Sequence, residues 1–246
     1  MPDPWVLVPP GAAAGRGPGD RVGLPDDVVH HLSRVLRLRP GATVVAADGA
    51  GTVVPGRLVD GDALELVAAP EHVDAPRPRV HVWQGLGKGR KQDEVVRVLT
   101  ELGVDAITAV TSGRTVVDLE GKAARVRSRW EGVARSACEQ SRRAWLPDVA
   151  GPVGVEDLLD DLGRRPCLLA HVGGTSDPLS AAEAAHGTEE IVVAVGPEGG
   201  WTGDEVAAFR DAGATVVGLG PTVLRTEHAA TVLASIVMAA AGRMRP

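Results

Sequence analysis

Two short glycine-containing stretches carry the residue types best suited to hold a ligand by its edges. Gly196-Pro-Glu-Gly-Gly200 follows the apolar run Ile191–Val195, and Leu219-Gly-Pro-Thr-Val-Leu-Arg225 follows Thr215–Leu219. Short apolar runs suit buried strands, so both stretches fall at strand carboxyl ends, where open α/β sheets bind their ligands. Without a Cβ, glycine lets backbone approach a ligand closely, and free N–H and C=O groups can read an adenine edge. Two tight strand-to-helix turns would need the same residues, and spacing alone leaves both readings open. Neither stretch matches GxxxxGK[ST] or GxGxxG, which disfavours a cradle for nucleotide phosphates.

The elements that must position these stretches follow from hydrophobic periodicity. Val80–Gln84, Val104–Val110, Cys167–Val172, Ile191–Val195 and Thr215–Leu219 are nearly unbroken apolar runs, as expected for a parallel sheet covered by helices on both faces. Between them, 92–102 repeats Val95, Val98, Leu99 and Leu102 at helical spacing and stops at Gly103, and a long helix is predicted over 123–144. Thr202 and Glu205 have capping-box spacing at the start of helix 203–211. A last helix over 226–240 is apolar on most faces, so it must be buried in the domain or at a subunit interface. Ahead of this pattern, Thr43–Ala47, Gly51–Val54 and Ala63–Val67 read as strands separated by DGAG and DGD turns, a small β-rich domain. Leu32, Val35 and Leu36 in HHLSRVLRLRPG (30–41) predict one or two amphipathic helical turns ended by Pro40-Gly41. The proline-rich stretch 70–78 marks the boundary, giving domains 1–73 and 74–246.

With 44% hydrophobic residues, no run of membrane-spanning length and no basic, apolar leader, the chain reads as cytoplasmic. Cys138 and Cys167 belong to no CxxC and read as buried thiols of a reducing compartment. The histidines lack ligand spacing, so no metal is expected. The formal charge is −6, yet residues 77–143 hold fourteen Lys/Arg against eight Asp/Glu. A basic region on an acidic protein suits selective docking to a polyanion, although a solvated helix face explains the charge equally well.

GPEGGWTGDEV (196–206), LGPTVLRTEHA (219–229), TELGVDAI (100–107), EQSRRAWLP (139–147) and HHLSRVLRLRPG (30–41) together resemble the bacterial family that methylates N3 of a uridine in small-subunit (16S) ribosomal RNA. The five segments keep the family's order across nearly the whole chain. The resemblance implies a PUA-like β-barrel followed by a SPOUT-type parallel α/β domain with a C-terminal trefoil knot, working as a homodimer on ribosomal RNA or the small subunit. It also implies S-adenosylmethionine as cofactor, held by Gly196, Gly199, Gly200, Leu219, Gly220 and Leu224. Physics alone favours an unknotted doubly wound sheet, so the knot rests on the resemblance. Trp201, His228 and Gly113 depart from the family pattern, where another apolar residue, a threonine and an acidic residue are usual.

For that chemistry, N3 becomes nucleophilic only as its proton leaves and charge spreads onto O2 and O4. Arg225, whose planar fork can bind a carbonyl, takes the electrostatic role, with Glu198 as proton acceptor and Glu227 as second choice. Glu198 holding its loop by bonding amides is an equal alternative. With six aromatic residues in the chain, RNA must dock on cations: Arg34, Arg37, Arg90, Lys91, Arg114, Arg135, Arg142 and Arg143, the last two within helical reach of Glu139. Two other readings remain, a Rossmann-type methyltransferase using the glycines of 82–89 and a non-catalytic RNA-binding factor.

Overall fold

Alternation of apolar residues builds the first of two compact units, which takes in residues 1–75 and 135–146; the second takes in 76–134 and 147–246. The computed structural model describes residues 3–117, 119 and 121–244. The first unit contains β1 (Trp5–Leu7), β2 (Arg21–Gly23), α1 (Asp26–His30), β3 (Thr43–Ala47), β4 (Thr52–Val59), β5 (Ala63–Leu66) and β6 (Glu71–His72). Its sheet runs β1-β3-β4-β5-β2, with β6 on β4. The two-residue period turns Val44, Ala46, Val54, Leu58, Leu64 and Leu66 inward onto one core. The predicted DGD turn joins β4 to β5 with Asp60 at φ 53° and Gly61 at φ 85°. Residues 135–146 complete the unit: Cys138 is buried with Leu7 and Ala47, and the Leu7 N–H donates to Glu139 Oε1 at 2.9 Å.

The segment 30–41 departs from the amphipathic turns its pattern predicts. After α1, residues His31–Val35 form a single π-helical turn in which the Leu36 N–H bonds the His31 carbonyl, five residues back. That wider turn breaks the 3.6-residue period. Leu32 is buried, but Val35 and Leu36, expected on the same face, are 61% and 41% exposed. The turn ends before Pro40, at Arg37 in a left-handed conformation (φ 54°).

The second unit holds β7 (Arg79–Gly85), α2 (Lys91–Leu102), β8 (Ala106–Thr111), α3 (Ala123–Ser141, its last residues belonging to the first unit), β9 (Asp148–Gly154), α4 (Val155–Leu162), β10 (Cys167–Ala170), α5 (Pro178–Ala184), β11 (Glu190–Val195), α6 (Gly203–Asp211), β12 (Thr215–Val217) and α7 (Thr226–Ala240). Its six strands lie in the order β12-β10-β11-β7-β8-β9, all parallel, as the apolar runs implied. Along β11, Val192 and Ala194 face a cluster with Leu158, Leu162, Val206 and Phe209 of α4 and α6. Ile191, Val193 and Val195 point the other way, the side on which α7 packs together with α2 and α5. Gly103 ends α2 at φ 104°, and Thr202 and Glu205 make the capping box in both directions. Cys167 lies in the sheet, where burial pushes its thiol up to about 12; burial pushes Cys138 up to about 11. Both are therefore protonated packing groups.

Candidate active site

Every carboxyl end of the central strands delivers residues to one cleft of about 590 Å³. After β10 come Ala170, His171 and Val172; after β11, Val195–Trp201; after β12, Leu219–Thr226. Lys91 reaches it from the start of α2, which follows β7, and Arg114 from the segment after β8. The volume lies within the roughly 300–1,000 Å³ of small-molecule sites.

Close packing at the first loop leaves little room for side chains at two of its glycines, Gly196 and Gly199. A Cβ on Gly85 would stand 2.2 Å from Pro197 N, and one on Gly199 would stand 3.0 Å from Arg114 Cβ. Gly220 meets no such obstacle but adopts φ 103°, a conformation L residues avoid. Arg114 fixes the first loop from above, its Nη1 donating to the Gly199 carbonyl at 2.9 Å. Below, Trp201 is buried against Phe209 with ring centroids 5.2 Å apart, so this departure from the family pattern is a core residue. At Gly113, the second departure, the N–H donates to Glu205 Oε1 at 2.8 Å, tying the segment after β8 to the cap of α6. His228, the third, is exposed on the first turn of α7.

Charge in the cleft centres on Lys91. Its Nζ lies 3.1 Å from Glu198 Oε1 and 3.9 Å from Glu227 Oε2. Glu198 Oε1 also accepts the Lys88 N–H at 3.0 Å. Partial burial pushes the Glu198 carboxyl upward, but the Lys88 amide and Lys91 ammonium outweigh it and hold the group below its ordinary value. Glu227 Oε2 is buried and makes no hydrogen bond among the described residues. Arg225 is exposed at the N-cap of α7, with no side-chain cap bond. Among the described residues, no group of three His, Cys, Asp or Glu could hold a metal ion, and no helix is long and apolar enough to cross a membrane.

Sequence comparison gives this cleft its relatives. Residues 74–238 match the RNA methyltransferase domain family, and residues 24–69 match the RNA methyltransferase PUA domain. The chain belongs to this RNA methyltransferase family. It is 38% identical over 213 residues to the ribosomal RNA small subunit methyltransferase E of Mycobacterium bovis, covering 82% of this chain and 80% of that one. The protein of that name from Synechocystis is 34% identical, with 83% and 68% covered. The ribosomal RNA small subunit methyltransferase E of Neisseria gonorrhoeae, crystallised bound to S-adenosyl methionine, superposes with a TM-score of 0.81 at 30% identity over 98% of this chain and 96% of that one. A PUA unit ahead of a SPOUT-type parallel α/β unit is thus the fold of this methyltransferase.

The structure gathers some of the sequence candidates and separates others. Gly196, Gly199, Gly200, Leu219, Gly220 and Leu224 all line the cleft, with Glu198 and Arg225. Lys91 and Arg114, expected as RNA contacts, line it too, and both are engaged with the first loop. Glu227 stands beside the cleft without lining it. Arg90 is exposed on the second unit; Arg34, Arg37, Arg135, Arg142 and Arg143 belong to the first. Because α3 ends at Ser141 and Arg142 turns left-handed (φ 58°), Arg142 and Arg143 lie beyond the helix and not at helical spacing from Glu139. Sequence pattern does not mark His171 and Val172 as cleft residues, because the apolar run continues to Val172 whereas β10 stops at Ala170. The following Gly173-Gly174 is the available signal.

Proposed function

We propose that this methyltransferase uses S-adenosylmethionine to methylate N3 of a uridine in small-subunit ribosomal RNA. The observation that carries the reading is the single cleft in which two glycine loops meet Lys91, Arg114 and Arg225. Crowded glycines, free loop backbone and a small-molecule volume fit an adenosine-bearing cofactor better than a phosphate cradle. The names of the relatives support the RNA substrate, the Neisseria structure supports the cofactor, and the resemblance of the motifs supports uridine N3. When bound, the cofactor supplies an electrophilic methyl on a sulfonium. Arg225 neutralises charge developing on the uracil carbonyl oxygens. Glu198, which lines the cleft and is bonded by Lys88 and Lys91, either takes the N3 proton or holds the loop, and Glu227, beside the cleft, is the second choice as proton acceptor. The base must be unpaired or extruded to reach these groups.

The same proposal includes the trefoil threading of the cleft loops and a homodimer. Close backbone crossings support the first: a Cβ on Gly174 would lie 2.3 Å from the Val217 carbonyl. For the second, α7 is mostly covered by its own unit, and Val232 remains exposed on it. Incubating protein, labelled S-adenosylmethionine and unmodified ribosomal RNA, then identifying the labelled nucleoside, tests the activity. Label in N3-methyluridine is expected; label in another nucleoside, or none on either free RNA or assembled small subunits, overturns it.

A further inference from the structure

Beneath the cleft, a chain of hydrogen bonds joins the roots of its two loops. Gln84, the penultimate residue of β7, is fully buried (0% exposed), and Thr226, the first residue of α7, is 8% exposed. The Gln84 Nε2 donates to its neighbour's carbonyl, Gly85 O, at 3.0 Å and to Thr226 Oγ1 at 2.8 Å. Thr226 Oγ1 in turn bonds the Gly196 carbonyl.

The direction of the chain follows from what each group can do. A carbonyl only accepts, so the side of the Gln84 amide facing Gly85 O must be its nitrogen, and the amide flip is settled. That nitrogen then donates to Thr226 Oγ1, which leaves the threonine one hydrogen, and the Gly196 carbonyl takes it. Gln84 Oε1 is buried and bonds no other protein group among the described residues, so the amide's bonds to protein there run through its nitrogen. A polar group in such surroundings is costly. Leucine would fill a strand end at no such cost, and the bonds that distinguish the amide from it are those of its nitrogen.

Gly196 opens the first glycine loop, and Thr226 follows the last residue of the second, Arg225. One hydroxyl therefore links the roots of both cleft walls. We infer that Gln84 and Thr226 are positioning residues that pre-set the spacing of the two cofactor loops, with Thr226 as the bridging group. The inference rests on the reading of the cleft as the S-adenosylmethionine site. Preorganisation of this kind acts on affinity, because a loop that must be ordered by its ligand takes that cost out of binding.

Calorimetric titration of S-adenosylmethionine, with thermal melts of the free proteins, tests it. Thr226→Val keeps the shape and loses both bonds, and leaves the buried Gly196 carbonyl unpaired; Kd should rise about tenfold or more. Gln84→Met keeps the Thr226–Gly196 bond and should raise Kd less. Thr226→Ser restores the hydroxyl and should recover most of the affinity that Thr226→Val forfeits. At saturating cofactor, turnover of Thr226→Val should recover more than its kcat/KM does. If Thr226→Val melts lower but its folded fraction binds as tightly as wild type, the pair is merely structural and the inference is overturned. The same follows if Thr226→Ser binds as weakly as Thr226→Val. Should Thr226→Val fail to fold, the graded loss in Gln84→Met carries the decision: an unchanged Kd there overturns it. Wild-type protein that binds no S-adenosylmethionine overturns the reading of the cleft itself.

Discussion

The two ends of the parallel sheet treat charge in opposite ways. At the amino end, ions are matched to ions: Arg165 donates to Glu190 at 2.7 Å and to Asp161 at 2.5 Å while lying over the Trp83 ring, and Arg79 meets Asp148 at 2.8 Å. His81, 3.5 Å from Glu190, and then Arg165 outweigh partial burial and hold the Glu190 carboxyl down at about 2. At the carboxyl end Lys91 is paired with Glu198 at 3.1 Å, but the pair lines an open cleft, and Arg225 stands exposed beside it. The same strands supply both ends. Charges at the amino end close on each other; those at the carboxyl end line the cleft, where on the proposed function a ligand and a reacting base use them.

The largest expected effect is therefore at Arg225. Arg225→Ala should lower single-turnover methylation by roughly a hundredfold or more, the scale of losing a transition-state donor, with little change in cofactor affinity. Turnover equal to wild type in a folded, cofactor-saturated variant would move the charge-stabilising role elsewhere. Next come the loops: Gly220→Val should weaken S-adenosylmethionine binding by about tenfold or more through its φ of 103°, whereas Gly199→Val should do so by displacing Arg114. Calorimetry showing unaltered affinity for both folded variants would remove the loops from the cofactor site.

The amino end should answer to pH, not to ligand. The Glu190 carboxyl sits at about 2 in the fold against an ordinary 4.5, so its stabilising effect is complete above about pH 4.5 and is lost as pH falls towards 2. Glu190→Gln should cost about 1–2 kcal/mol at pH 7 and flatten the acid limb of the stability curve, leaving cofactor affinity unchanged. An acid limb identical to wild type would show that this cluster is not what the low pH breaks. The smallest effect is expected on the first unit, where replacing Arg34 and Arg37 by Gln should reduce the salt slope of RNA binding by roughly 0.7–0.9 for each phosphate no longer neutralised. An unchanged slope means these arginines only solvate the surface.

How much of this is legible in sequence depends on whether local pattern or tertiary context decides each residue. The buried parallel strands show as apolar runs, and Gly103 and the Thr202–Glu205 box mark helix ends through local chemistry alone. β9 does not show, since its AGPVG stretch reads as a turn; in the sheet it pairs with β8 through a register shift between Thr108 and Val110. The π-helical turn at His31–Val35 is hidden because the same residues fit a 3.6-residue period. At the site, the glycines are visible by type, and all six cofactor candidates line one cleft. Lys91 is not visible as a cleft residue, because its placement 3.1 Å from Glu198 and 3.9 Å from Glu227 is decided by tertiary packing. Gln84 is a polar residue closing an apolar strand, a signal present in sequence but without meaning until Thr226 and Gly196 are seen beside it.

The most direct test is nucleoside mass spectrometry of small-subunit ribosomal RNA from the native host lacking this gene, complemented with wild-type protein or Arg225→Ala. One N3-methyluridine should disappear on deletion, return with wild type and stay absent or strongly reduced with Arg225→Ala. Retention of that nucleoside in the deletion strain, or loss of a different modified nucleoside, would contradict the account.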